Sequence, residues 1–146
     1  MIYSKACEYG IRALTHLARQ PDQLSVVRQV SDAEGIPHYF LGKILQTMAK
    51  EGLVLSTKGP GGGFRLAQPA DEVTLYDIKA AIDGVDDLHE CAVGLEQCND
   101  QMPCPLHDTF SPLRENIKQY LQETTLAAMA KAVDRKHAVS QDGSAA

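Results

Sequence analysis

The chain has 146 residues, 44% of them hydrophobic and 23% charged, with a net charge of −5 and a pI near 5.4. That is about one domain of sequence with enough apolar content for a core. No stretch reaches the roughly 18 uninterrupted apolar residues that a membrane helix needs. The start, MIYSKACEYGIRALTHLARQ, is amphipathic and carries Glu8, unlike a secretory leader; a cytoplasmic location without membrane attachment is expected. Reduced thiols follow from that location, which disfavours a disulfide framework for the four cysteines. The charge is uneven. Residues 1–70 carry eight Lys/Arg against five acids, and residues 71–146 carry six against fourteen, so balances of +3 and −8 predict different partners for the two halves.

Ser4 caps a predicted first helix that runs to about Arg19, with Ala6, Ala13, Leu14 and Leu17 on one stripe. After the break QPDQ, Ser25 is placed to cap a second helix, VVRQVSDAE, which Gly35 stops. Pro37 suits the first turn of the next helix, PHYFLGKILQTMAKE. Phe40, Leu41, Ile44, Leu45 and Met48 form its expected buried stripe, and Tyr39, Lys43, Gln46 and Lys50 its polar, basic outer face. Two short helices joined by a tight glycine turn, the second with such a face, make a helix-turn-helix pattern. In that pattern the second helix lies in the DNA major groove.

Gly52 ends this helix, and LVLSTKGPGGGFRLAQP gives two short strands around a glycine-rich tip flanked by Lys58 and Arg65. GPGGGF fits neither nucleotide-binding glycine motif, and no helix bearing Lys-Ser/Thr follows. A wing against DNA is the better reading. Candidate DNA contacts are Arg28, His38, Tyr39, Lys43, Gln46, Lys50, Lys58, Gly61 and Arg65. The predicted fold is mainly α with a small β-hairpin wing: a winged helix-turn-helix domain over 1–84 followed by a long C-terminal dimerisation helix.

VTLYDIKAAIDG reads as a fourth short helix with Thr74 and Asp77 as a capping pair and Gly84 as its stop. Residues 85–110 lack helical or strand period through their cysteine-containing part. A helix is then predicted over 111–133, with Ser111 as cap and Pro112 in its first turn. Leu113, Ile117, Tyr120 and Leu121 lie on its narrow apolar stripe, which suits a second copy of the helix. Packing on the chain's own core is the alternative. Residues 134–146 are expected to be a disordered tail.

The spacing Cys91-x6-Cys98-x5-Cys104-x2-His107 crowds three thiols and an imidazole ahead of that helix. Thiolates select zinc or iron–sulfur clusters. Compact zinc sites use closer cysteine pairs, whereas wider gaps can wrap a cluster. Nearby acids argue against a basic pocket that activates a lone thiol. The spacing favours a cluster and leaves zinc and thiol redox switching open. No Ser/His/Asp set, paired-carboxylate cleft or phosphate loop supports an enzyme; a small redox protein would leave the wing and recognition face unexplained.

YSKACEYGIRAL, IPHYFLGKIL, GLVLSTKGPGGGFRLA, VTLYDIKAAIDG and the three-cysteine segment together resemble the IscR/NsrR family of bacterial winged-helix regulators, over nearly the whole chain to about residue 133. The resemblance implies a homodimer on a palindromic double-stranded operator, with an iron–sulfur cluster in each subunit, 2Fe–2S before 4Fe–4S. It implies Cys91, Cys98 and Cys104 as ligands, with His107 as the fourth through CPLH and Glu8, from the partner subunit, as the alternative. Departures from the pattern are the six-residue first gap, Gly42 in the recognition helix, Lys58 in place of a frequent arginine, Pro112, and the extra Cys7.

Overall fold

The computed structural model describes residues 2–96, 101 and 103–142. Ser4 starts α1 (Lys5–Arg19) by accepting from the N–H of Cys7 at 3.1 Å, satisfying one of the donors that a helix start leaves open. Then follow α2 (Val27–Glu34) and α3 (His38–Lys50), joined by a turn in which Gly35 takes φ 64°. Pro37 sits one residue before α3, where its carbonyl accepts from the N–H of Leu41 at 3.0 Å. Strands β1 (Val54–Thr57) and β2 (Gly63–Leu66) pair antiparallel, with Val54 opposite Leu66 and Thr57 opposite Gly63.

Ser25 does not cap α2. Its backbone bridges the wing instead, donating to Phe64 O at 2.9 Å and accepting from Phe64 N at 2.8 Å. The helix therefore begins after Val26, whose N–H is satisfied by Gln29 Oε1 at 3.0 Å.

Helix α4 (Leu75–Ile82) has the expected reciprocal caps: Asp77 N donates to Thr74 Oγ1 at 3.2 Å, and Thr74 N to Asp77 Oδ2 at 2.9 Å. One 3-10 turn at Asp86–Leu88 follows. The C-terminal part departs most from expectation. Helix α5 spans His107–Glu123, so it begins four residues before Ser111 and carries Pro112 inside it. Proline there removes only the bond to the Asp108 carbonyl, and Asp108 is exposed and can be solvated. The predicted single helix over 111–133 is two. Thr124 O accepts from Leu75 N at 3.0 Å and Leu126 N donates to Val73 O at 2.9 Å, so the chain is drawn out of helix to pair with the start of α4. Thr125 Oγ1 then accepts from Ala128 N at 3.1 Å and opens α6 (Leu126–Asp142). The expected tail is thus helical as far as Asp142. It lies along α1, with Leu126 and Ala130 buried and Asp134 paired to Arg19 at 2.6 Å; residues 143–146 lie outside the described part.

The core gathers Ile11, Leu14 and Leu17 of α1, Leu41, Leu45 and Met48 of α3, and Val54, Leu66 and Ile78. Each fully buried side chain of this size contributes about 1.5–3 kcal/mol relative to exposure. Gly10 is where α1 meets α3 and α4. A Cβ there would lie 2.8 Å from the Met48 side chain and 2.5 Å from that of Ile82, so any larger residue would push those side-chain ends aside. Phe40, expected in the core, is 49% exposed and meets Tyr9 edge-on at 6.1 Å. No helix among the described residues is long and apolar enough to cross a membrane.

Candidate DNA-binding surface and cysteine centre

Burial of Leu41, Ile44, Leu45 and Met48 on one side of α3 turns the other side outward. His38, Tyr39, Lys43, Gln46 and Lys50 are all exposed there, and Thr47, not anticipated, joins them. Its position one turn beyond Lys43 was the available signal. The Lys43 ammonium stands 4.6 Å over the Tyr39 ring, which holds two candidate contacts together. Arg28 is exposed on α2, and Lys58, Gly61 and Arg65 on the wing. Gly61 takes φ 77°, and a side chain on Gly62 would run into the Thr57 carbonyl, so the tip is built for close backbone packing. The structure places all nine predicted DNA-contact residues on exposed positions of α2, α3 and the wing.

The cysteine segment is ordered differently. Cys91 and Cys104 are half-buried free thiols, and the Cys104 side chain is in hydrogen-bonding contact with Cys91. The backbone N–H of Val93, then that of Leu95, hold the Cys91 thiol below the ordinary thiol range; Cys104 and Gly94 act in the same direction, against partial burial. Backbone donors aimed at sulfur stabilise a thiolate, the form that binds metal. His107 is 8% exposed at the start of α5, its N–H donating to Cys104 O at 3.0 Å. Cys98 lies outside the described residues. No group of three ligating side chains assembles among the described residues.

Glu8 is held by its own helix, 3.1 Å from Lys5 Nζ. Cys7 is wholly buried; desolvation first, then the charge of Asp83, push its thiol up to about 12. It is a core thiol, apart from the cysteine centre.

Two buried charges escaped the sequence reading because such side chains are ordinarily solvated. Lys79, 1% exposed, donates to Gly84 O at 3.1 Å and pairs with Asp87 at 3.0 Å. Arg114, 7% exposed, donates through Nη1 to Glu90 O at 2.6 Å, and its Nε has no partner among the described residues. A cleft of about 450 Å³ is lined by Ile2, Asp87, Glu90, Cys91, Phe110 and Arg114. Neighbouring thiols, backbone donors on one sulfur, a buried imidazole and an orphaned cationic N–H fit an anionic metal–sulfur group.

The expected dimer stripe divides. Leu113 is 54% and Tyr120 37% exposed, Ile117 is half-buried against the core, and Leu121 is completely buried within its own chain. Leu121 therefore belongs to the core rather than to an outward face.

The sequence pattern of the Rrf2 family, described as an iron-dependent transcriptional regulator, matches residues 3–132. The chain belongs to the Rrf2 family. An IscR regulator of Vibrio campbellii (strain ATCC BAA-1116) is 30% identical over 124 residues, covering 84% of this chain and 73% of that protein. The structure of CymR, the global cysteine regulator of B. subtilis, superposes with a TM-score of 0.78 at 23% identity, covering 90% of this chain and 98% of that one. IscR of T. potens gives 0.74 at 22%, covering 91% and 88%. At these identities the two structures establish the winged-helix fold. As an Rrf2 protein, the chain is a DNA-binding transcriptional regulator and not an enzyme.

Proposed function

We propose that this Rrf2 regulator is a cytoplasmic homodimer whose binding to a palindromic operator is set by an iron–sulfur cluster, 2Fe–2S before 4Fe–4S, held by Cys91, Cys98, Cys104 and His107. The observation that carries the reading is the grouping of the half-buried free thiols Cys91 and Cys104 with buried His107, whose N–H donates to Cys104 O at 3.0 Å. The iron dependence that characterises the Rrf2 family pattern and the similarity to an IscR regulator support it. When bound, the cluster supplies a centre that changes charge on reduction or loss. His107 is preferred to Glu8 because it is buried beside Cys104, whereas Glu8 is engaged by Lys5.

The chain's own residues transmit the state of the centre. Arg114 ties the Glu90 carbonyl, next to Cys91, to α5. Lys79 ties Asp87 and Gly84 to α4, and Asp83 receives both the N–H and the hydroxyl of Ser4 at the start of α1. Helices α1 and α4 close on α3 at Gly10. Altered order in the cysteine segment thus reaches the recognition helix through a continuous packed path. Its effect on DNA affinity equals the differential stabilisation of the two arrangements. Exposed Leu113 and Tyr120 on α5, with Ile2, Val93, Leu95 and Leu106 also exposed, supply apolar surface for a second copy.

Anaerobic purification followed by ultraviolet–visible spectroscopy with iron and sulfide assays tests the reading. Broad visible absorption with stoichiometric iron and sulfide is expected. Full occupancy by zinc, or a reversible Cys91–Cys104 disulfide with no metal, overturns the cluster and points to the zinc or thiol form of the same regulator.

A further inference from the structure

We propose that Arg114 is the positioning and charge-compensating residue of the cysteine centre, an assignment that rests on the cluster reading above. His107, Arg114 and Leu121 recur every seven residues on α5 and are 8%, 7% and 0% exposed. Seven residues are nearly two helical turns, so the three share one inward face. Leucine needs no partner there. Arginine does, because its guanidinium is always charged and a buried charge requires an anion.

Arg114 makes no ion pair with any described carboxylate. What it has is the Glu90 carbonyl at 2.6 Å and the Phe110 ring at 5.9 Å. Among the described residues Nε is left without an acceptor, and the side chain lines the same cleft as Cys91. Of the carboxylates that line this cleft, Asp87 is paired with Lys79 and Glu90 meets Arg114 through its backbone carbonyl, so the anion assigned to Arg114 is the metal–sulfur group. Three thiolates and a neutral imidazole around the core leave net negative charge, which grows by one on one-electron reduction. A buried cation beside it favours the reduced form and raises the potential. The bond to Glu90 has a second consequence. It fixes the residue before Cys91 to the helix that carries His107, so both ligands are held in one frame.

The two roles separate by substitution in the full-length protein. Wild type, Arg114→Gln and Arg114→Lys are purified anaerobically, titrated with dithionite and mediators, and challenged with a ferrous chelator. Arg114→Gln, lacking charge and tether, is expected to make reduction at least about tenfold less favourable, a shift of about 59 mV for one electron. Arg114→Lys keeps the charge and holds the potential near wild type. Both variants lose the tether and release iron roughly 10–100-fold faster.

A Gln variant with the wild-type potential, or Gln and Lys shifted alike, overturns the charge role. Wild-type rates of iron release in both overturn the positioning role. If the Gln variant does not fold, Lys decides: a retained potential with faster release supports the assignment, and a tenfold loss in reduction or an unchanged release rate overturns it. Wild-type protein without a cluster removes this assignment together with the cluster reading. A cluster present but indifferent to Arg114 removes this assignment alone.

Discussion

The winged half and the cysteine half bury different chemistry. In α1, α2 and the segment between them, the buried polar residues are the hydroxyls Thr15, Ser25 and Ser31. Thr15 and Ser31 each donate to a backbone carbonyl, Ile11 O at 2.7 Å and Ile36 O at 2.5 Å. Around the cysteine segment the buried polar residues among those described are Lys79, His107 and Arg114, all able to carry charge. Neutral hydroxyls satisfied locally cost little, whereas buried cations need anions. The winged half therefore satisfies its buried hydroxyls locally, while around the cysteine segment Lys79 is balanced by Asp87 and the Nε of Arg114 has no partner among the described residues.

The sharpest way to break this contrast is to remove the thiols. Cys91→Ala or Cys104→Ala is expected to abolish the cluster and raise amide exchange across residues 86–96. Exchange in α1 and α3 should stay as it was, because their order comes from apolar burial. Cys98→Ala should behave like the other two. Equal loosening of both halves in hydrogen-exchange mass spectrometry would show that the winged half depends on the centre for its own order.

A second contrast lies within α5. Leu121→Ala should destabilise the folded chain by about 2–5 kcal/mol in urea unfolding, the usual range for a buried leucine. Leu113→Glu, at an exposed position, should alter the fold itself by no more than about 0.5 kcal/mol. It should nevertheless convert dimer to monomer in sedimentation and lose the second half-site. A dimer surviving both Leu113→Glu and Tyr120→Glu would move the interface off this helix.

The winged half offers smaller, graded effects. Tyr39→Ala and Gln46→Ala should change operator preference, at about 1–3 kcal/mol for each lost base contact. Lys50→Ala and Lys58→Ala should weaken all sequences alike and lower the salt slope by about one charge each. Salt-independent affinity in the parent protein would place the contact surface elsewhere.

These two halves were also unequally legible. The winged half is punctuated by residues whose backbone needs are local: Ser4 as a cap, Gly35 with φ 64°, Thr74 reciprocating Asp77. Where a non-local bond takes the same backbone group, the pattern misleads. Ser25 looks like a cap but is spent on Phe64, and Thr124–Leu126 reads as helix interior but is claimed by Val73 and Leu75. Pro112 after Ser111 imitates a helix start, yet α5 is already under way from His107. Phe40 fits the apolar stripe by spacing, but it sits beside Tyr9 at an edge that stays open. For the site, the candidate ligands were visible as residue types, and the exposed recognition face as a pattern. Arg114 and Lys79 were not, since charge ordinarily signals solvent; only the seven-residue step from His107 marks Arg114.

The smallest effect concerns Cys7, whose burial belongs to the winged half, with Asp83 and Lys79 at α4 acting on it. The thiol is raised from 9.0 to about 12, so the folded chain binds this proton more tightly than the unfolded chain does. The associated stability is complete below pH 9 and is lost as pH rises toward about 12, at no more than about 1.4 kcal/mol per pH unit. Tyr120 is also raised, by burial first and then by neighbouring Tyr3, so its titration adds loss in the same direction. Cys7→Ala should flatten the alkaline decline in thermal stability in a Tyr120→Phe background and leave the visible spectrum of the cluster unchanged. Native Cys7 should resist iodoacetamide at pH 8 while cluster-free Cys91 reacts. Rapid labelling of Cys7 in the folded protein, or bleaching of the cluster by Cys7→Ala, would make it part of the cysteine centre rather than of the core.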